Sequence, residues 1–147
     1  MAPLIALASL FVACMVVGQL GFSFFADWTV CLRFALAGMF LLTASAHWGK
    51  RRAELVRMVP PVLGNAGIWV TLTGMLEIVG AVGLLVPATV HWAAIGLGLL
   101  LVALFPANVH AARSGGTLDG KPVMGVLPRG LLQVLFLACT MAVAVGA

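Results

Sequence analysis

Charge is scarce in this sequence. Only 8% of its 147 residues are Asp, Glu, Lys or Arg, while 63% are hydrophobic, and the mean hydropathy is +1.19. Such a composition excludes an ordinary water-soluble surface. Apolar side chains beyond what a small core can hide would form large exposed patches, and such patches drive association. Lipid is the solvent that fits. Cysteine is also scarce: Cys14, Cys31 and Cys139 are far apart, with no CxxC and no Cys/His metal spacing. A disulfide framework and a metal site are therefore not expected. Small apolar filler is the plain reading of these cysteines, and a redox dithiol is the sharper alternative.

Other absences narrow the function. The net charge of +4 comes from a few basic residues beside apolar runs, with no basic stripe interleaved with aromatics, so nucleic-acid binding is excluded. No Walker loop, helix-opening GxGxxG, HExxH or GxSxG is found. The histidines are too few to pair around a haem or copper, and no chain of charged residues marks a pump. No linker, composition break or repeat divides the chain, so a single domain spanning residues 1–147 is expected.

Five apolar runs are present, at about Leu4 to Ala26, Trp28 to Trp48, Trp69 to Pro87, Trp92 to Ala112 and Leu127 to Val145. Each is near the roughly 20 residues that cross a bilayer core, and a helix satisfies its own backbone there. The expected fold class is all-α, a polytopic transmembrane helical bundle. Trp28, Trp48, Trp69 and Trp92 fall at the run ends, where indole rings favour the headgroup zone. The first run lacks a basic n-region and is long for a signal peptide, so a retained helix is expected.

Lys50, Arg51, Arg52 and Arg57 follow the second run, and Arg113, Lys121 and Arg129 follow the fourth. With five spans these two loops share a side. The positive-inside rule makes that side cytoplasmic, with the N-terminus cytoplasmic and the C-terminus outside, in a cell inner or plasma membrane. The segment Lys50 to Val59 is basic and amphipathic and suits the interface, its arginines near lipid phosphate. Ser114 to Pro122 is rich in turn residues.

Polar residues inside the runs carry the chemistry. Glu77 lies eight residues into the third run, roughly 12 Å deep, where a charge is costly and usually functional. Thr73, Gly74, Gly80 and Ala81 share its helical face, while Leu72, Leu76, Val79 and Val86 lie elsewhere. The alternative role for Glu77 is hydrogen-bonded glue between helices. His47 ends the second run on a stripe with Thr43, Phe40, Leu36 and Arg33. It is either an interfacial residue or Glu77's partner in proton or ligand handling. In the string Phe105 to Arg113, Pro106 frees a carbonyl, with Asn108 and His110 close behind. His47, Asn108 and His110 fall at one end, so Glu77 is expected to face the same pocket. Arg33 is expected to snorkel, Gln133 and Thr140 to bond between helices, and His91 to be solvated. The ligand or proton-handling candidates are thus Glu77, His47, Asn108, His110 and Arg33; no residue is assigned as catalytic.

From Arg33 to Val145 the chain resembles the DoxX-like membrane proteins. The matching pieces are Arg33 to Trp48, Val59 to Pro61, Thr73 to Pro87, Phe105 to Ala112 and Pro128 to Gln133, in that order. The resemblance implies a four-helix core, here with one added N-terminal helix. It also links the chain to membrane oxidoreductase assemblies, the family being named for a subunit of a thiosulfate:quinone oxidoreductase. Fold alone does not fix function.

Three functions follow as expectations. The first is an accessory subunit of a redox, quinone-linked assembly, with quinone as a non-covalent cofactor and redox enzyme subunits as partners. The second is a stand-alone binder, carrier or isomerase-like enzyme for an apolar molecule or lipid. The third is a structural or assembly subunit. In all three the lipid bilayer is the surrounding partner.

Overall fold

The computed structural model describes residues 2–113, 117–118, 121–122 and 124–146. It contains six helices among those residues: α1 (Ala2–Gln19), α2 (Trp28–Ser45), α3 (Arg52–Met58), α4 (Ala66–Leu85), α5 (Val90–Arg113) and α6 (Val126–Gly146). All except α3 are long and apolar enough to cross a membrane, so this is a multi-pass membrane protein. Large apolar side chains stand exposed on every long helix, among them Val12, Leu41, Val79, Leu99 and Val134. Hydrocarbon, not water, is the medium in which such a surface is stable. The turn-rich reading of Ser114 to Pro122 lies largely outside the described residues. Within it, Thr117–Leu118 and Lys121–Pro122 pair antiparallel.

Polar caps set two of the helix starts. Asp27 accepts the Thr29 N–H at 2.8 Å before α2. Asn65 accepts the N–H groups of Gly67 and Ile68 before α4. Each satisfies donors that have no partner inside the helix. The first apolar run is expected to continue to Ala26, yet α1 stops at Gln19. The chain turns at Gly21, whose φ of 105° belongs to glycine. A 3₁₀ turn at Ser23–Phe25 then folds back onto α1. Gly18 lies so close to it that a Cβ there would sit 2.2 Å from the Phe25 carbonyl oxygen. The phenylalanines of this turn are as apolar as a span, which hides it from a hydropathy reading.

α2, α4, α5 and α6 form a ring in which α2 touches α4 and α6, and α5 touches the same two. α1 lies outside the ring against α2, with Leu7 its single buried residue. The core gathers Leu36, Met39 and Phe40 from α2, Leu84 from α4, Leu97 from α5 and Val143 from α6. The short α3 packs on both α4 and α5. It therefore brings the loop after α2 and the end of α5 together at what we term the basic end.

Side chains from neighbouring helices hold carbonyls that helix ends leave without a partner. At the far end, Arg33 Nε donates to the Leu84 carbonyl in the last turn of α4 at 3.1 Å. His91 Nδ1 lies 2.7 Å from the Ala144 carbonyl in the last turn of α6. His91 is thus bonded and not simply solvated, and Arg33 does more than snorkel. Cationic and N–H groups at helix C-termini also oppose the helix dipole favourably. Thr140, expected to bond between helices, is fully buried and donates to Leu137 of its own helix at 2.8 Å. This local bond is available to any helical threonine and needs no partner helix.

Candidate functional site

The buried stripe of α4 is Val70, Gly74, Glu77, Ala81 and Leu84. Its alternating steps of four and three residues keep it facing one way along a helix. Glu77 is the twelfth residue of α4, counting from Ala66, so it lies roughly 17 Å along the helix axis. It is 5% exposed. Leu72, Leu76, Val79 and Val86 are all exposed, which leaves the lipid face of α4 bulky and the inner face small.

Glu77 meets α2 at Thr43. The Thr43 hydroxyl lies 2.8 Å from Glu77 Oε2 and 2.9 Å from the Phe40 carbonyl oxygen. A hydroxyl has one proton to donate. If Glu77 is ionised, Thr43 donates to it. If Glu77 is protonated, the acid donates to Thr43, and the hydroxyl turns to Phe40. Both protonation states are therefore accommodated by one rotation of a hydroxyl, with no side chain moving. That is what a group that gains and loses protons within a packed bundle needs.

His47 sits four residues further on, just past the end of α2, and 8% of it is exposed. Its Nδ1 lies 3.2 Å from each of the Thr43 and Ala44 carbonyl oxygens. Both are acceptors, so the hydrogen-bond network assigns the ring proton to Nδ1 and leaves Nε2 with its lone pair. The ring packs on Gly74, where a Cβ would approach His47 Cγ to 2.7 Å and Trp48 Cη2 to 2.8 Å. Gly74 and Glu77 are three residues apart on one face of α4. The glycine therefore lets the imidazole reach α4 one turn from the carboxyl, and Thr43 touches both groups.

Burial pushes His47 below its ordinary value of 6.5, and the Arg52 charge adds to this, against a smaller upward pull from the two carbonyls. The folded protein holds the ring neutral, while the unfolded chain takes up a proton near the ordinary value. Below about pH 6.5 the unfolded state thus binds more protons, and stability falls with pH until the folded ring also protonates. Denaturant unfolding followed across pH 5 to 8 is expected to show this fall. His47→Gln, which cannot ionise there, is expected to flatten the profile.

Arg52 fastens the same region. Its Nη1 donates to the His47 carbonyl at 2.8 Å, and its Nη2 donates to the Gly67 carbonyl and to Thr71 Oγ1. One guanidinium thus ties the end of α2 to the first turns of α4 through α3.

Asn108 belongs to a different cluster, between α5 and α6. Arg129 Nη1 donates to Asn108 Oδ1 at 2.8 Å. Asn108 Nδ2 points to Gln133 Oε1 at 3.4 Å, and Gln133 Nε2 donates to the Leu101 carbonyl. Pro106 interrupts the ladder of α5 just beyond this point. His110 is half-buried and, with Pro106, Val109 and Arg113, lines an open groove along α5. Of the sequence candidates, Glu77 and His47 are brought to one site. Asn108 bonds at the α5–α6 junction, His110 lies on the α5 groove, and Arg33 sits at the far end. Sequence reasoning missed Thr43 as Glu77's partner, although it lies on the His47 stripe. It also assigned Arg52 to loop topology and lipid phosphate, and Arg129 to loop topology, with no bond to a neighbouring helix. Among the described residues no three His, Cys, Asp or Glu side chains gather as a metal site.

A family model described as "Domain of unknown function (DUF8561)" matches residues 36–144, from the middle of α2 to the last turns of α6. This covers the larger part of the chain, so the protein belongs to that family. No curated protein and no solved structure matches the chain.

Proposed function

We propose that this member of a family without an assigned activity is an accessory subunit of a membrane redox assembly, and that Glu77 handles protons for a quinone-linked reaction. The observation that carries the reading is the Glu77–Thr43 pair, a buried carboxyl in mid-helix beside a hydroxyl that can serve either protonation state. Reduction of a quinone to its quinol takes up two protons with two electrons. In this reading the electrons come from a redox centre on a partner subunit. Glu77 gives up a proton and is reloaded from the basic end, where His47 lies one turn away with a lone pair on Nε2. The positive-inside rule turns the basic end, with Arg51, Arg52, Arg57 and Arg113, to the cytoplasm. That orientation places the N-terminus of α1 inside and the C-terminus of α6 outside a cell inner or plasma membrane. The DoxX-like order of motifs from Arg33 to Gln133 supports the same reading.

Native mass spectrometry of the gently solubilised protein from its own membranes tests this. The expected result is a stoichiometric partner chain carrying flavin, haem or another redox centre. A lone chain or homo-oligomer that retains only lipid would overturn the accessory-subunit reading and leave Glu77 as the acid of a small-molecule site.

A further inference from the structure

Among the described residues Arg129 is a cation without a countercharge. It is the fourth residue of α6, in the first turn, at headgroup depth for a helix that spans a bilayer. Its Nη1 is committed to Asn108, and Asn108 and Gln133 pass their own donors onward to the Leu101 carbonyl. Each neighbour in this chain is neutral. Among the described residues no carboxylate pairs with the guanidinium. Its Nε is sealed from solvent and has no hydrogen-bond partner, the one such buried side-chain atom among the described residues.

A guanidinium does not shed its proton to escape this situation. A buried N–H left unmade is destabilising, more so on a charged group, and a native structure needs an explanation for it. Asn108 holds the Nη1 corner. The edge that remains, Nε beside Nη2, carries two parallel donors, the geometry that grips a phosphate or carboxylate through two oxygens once the groups that cover Nε move aside. Val126 and Leu127 in the same turn are exposed, which suits a helix start at the membrane boundary, where phosphate is the abundant anion.

We infer that the α5–α6 junction is a phosphate-oxyanion site built on Arg129, occupied by the headgroup of an anionic phospholipid. Asn108 and Gln133 are positioning residues that fix the guanidinium plane so that the Nε edge faces the ligand. The site is independent of the role given to Glu77.

The test uses the full purified chain in detergent, with phosphatidylglycerol and phosphatidylcholine of identical acyl chains followed by native mass spectrometry. Wild type is expected to retain one phosphatidylglycerol at least about tenfold better than phosphatidylcholine, and Arg129→Gln to erase that preference. Retention that persists in excess inorganic phosphate assigns the site to the lipid headgroup. Thermal stabilisation of wild type over Arg129→Gln by inorganic phosphate alone, with no lipid preference, keeps the oxyanion site but overturns the lipid as its occupant. Equal behaviour of wild type and Arg129→Gln toward both probes overturns the site. Should Arg129→Gln fail to fold, Arg129→Lys keeps the charge and removes the planar fork. Its phosphatidylglycerol retention is expected to fall several-fold, and unchanged retention overturns the proposal.

Discussion

Under the proposed function, Glu77→Gln is expected to lower the turnover of the redox assembly about a hundredfold, the scale of a lost acid–base group, while leaving the bundle folded. The amide preserves what the carboxyl does structurally. Its N–H₂ can donate to Thr43 Oγ1, and the Thr43 hydroxyl can turn to the Phe40 carbonyl 2.9 Å away. The stability change should therefore stay within about 1 kcal/mol. What the amide cannot do is release a proton. Turnover of the reconstituted assembly and denaturant unfolding of the same preparation separate the two roles. Full turnover in the variant would make Glu77 interhelical glue and remove the basis for proton handling.

Arg52→Ala is expected to produce the larger loss of stability, about 2–3 kcal/mol, because it removes charge-assisted bonds that close the basic end. Three acceptors lose their donor at once: the His47 carbonyl, the Gly67 carbonyl and Thr71 Oγ1. Thr71 retains its own bond to Gly67, which limits the cost. Lys50→Ala nearby is the control. Lys50 is exposed, and an isolated surface charge contributes little. Equal midpoints for the two variants would show that the Arg52 bonds do not tie α2 to α4 in any energetic sense.

The difference between Arg52 and Lys50 was not visible in the sequence, whereas much else was. The five long helices were legible because lipid imposes long apolar runs, and tryptophans mark their limits: Trp28 opens α2, and Trp69 and Trp92 lie in the first turns of α4 and α5. Glu77 was legible because a carboxyl in such a run is rare. Its small-faced helix surface was legible from the spacing of Gly74 and Ala81. The partner was harder. Periodicity says which residues share a face but not which helix that face meets, so Asn108 was placed with Glu77 on the grounds that both helix ends fall on one side. The rotation of α5 turns Asn108 to α6 instead. The end of α1 was misread for a different reason. Hydropathy does not register backbone conformation, and the turn there depends on Gly18 and Gly21 amid apolar neighbours. Arg33, Arg52 and His91 were read as charges meeting water or headgroups, because bonds to backbone carbonyls have no sequence signature.

Those carbonyl bonds bear on how the protein and its bilayer adjust to each other. Arg33 ties α2 to the last turn of α4, His91 ties α5 to the last turn of α6, and Arg52 ties α2 to the first turns of α4. The bonds join α2 to α4 at both rims and α5 to α6 at one, so neither pair can slide without breaking one of them. A transmembrane bundle usually meets a bilayer of the wrong thickness by tilting or shifting its helices. Here α2 and α4 are pinned to each other at both rims, with α4 at 20 residues spanning roughly 30 Å. In a thinner or thicker membrane the paired helices can adjust only together, by tilting as one body or by deforming the lipid around them.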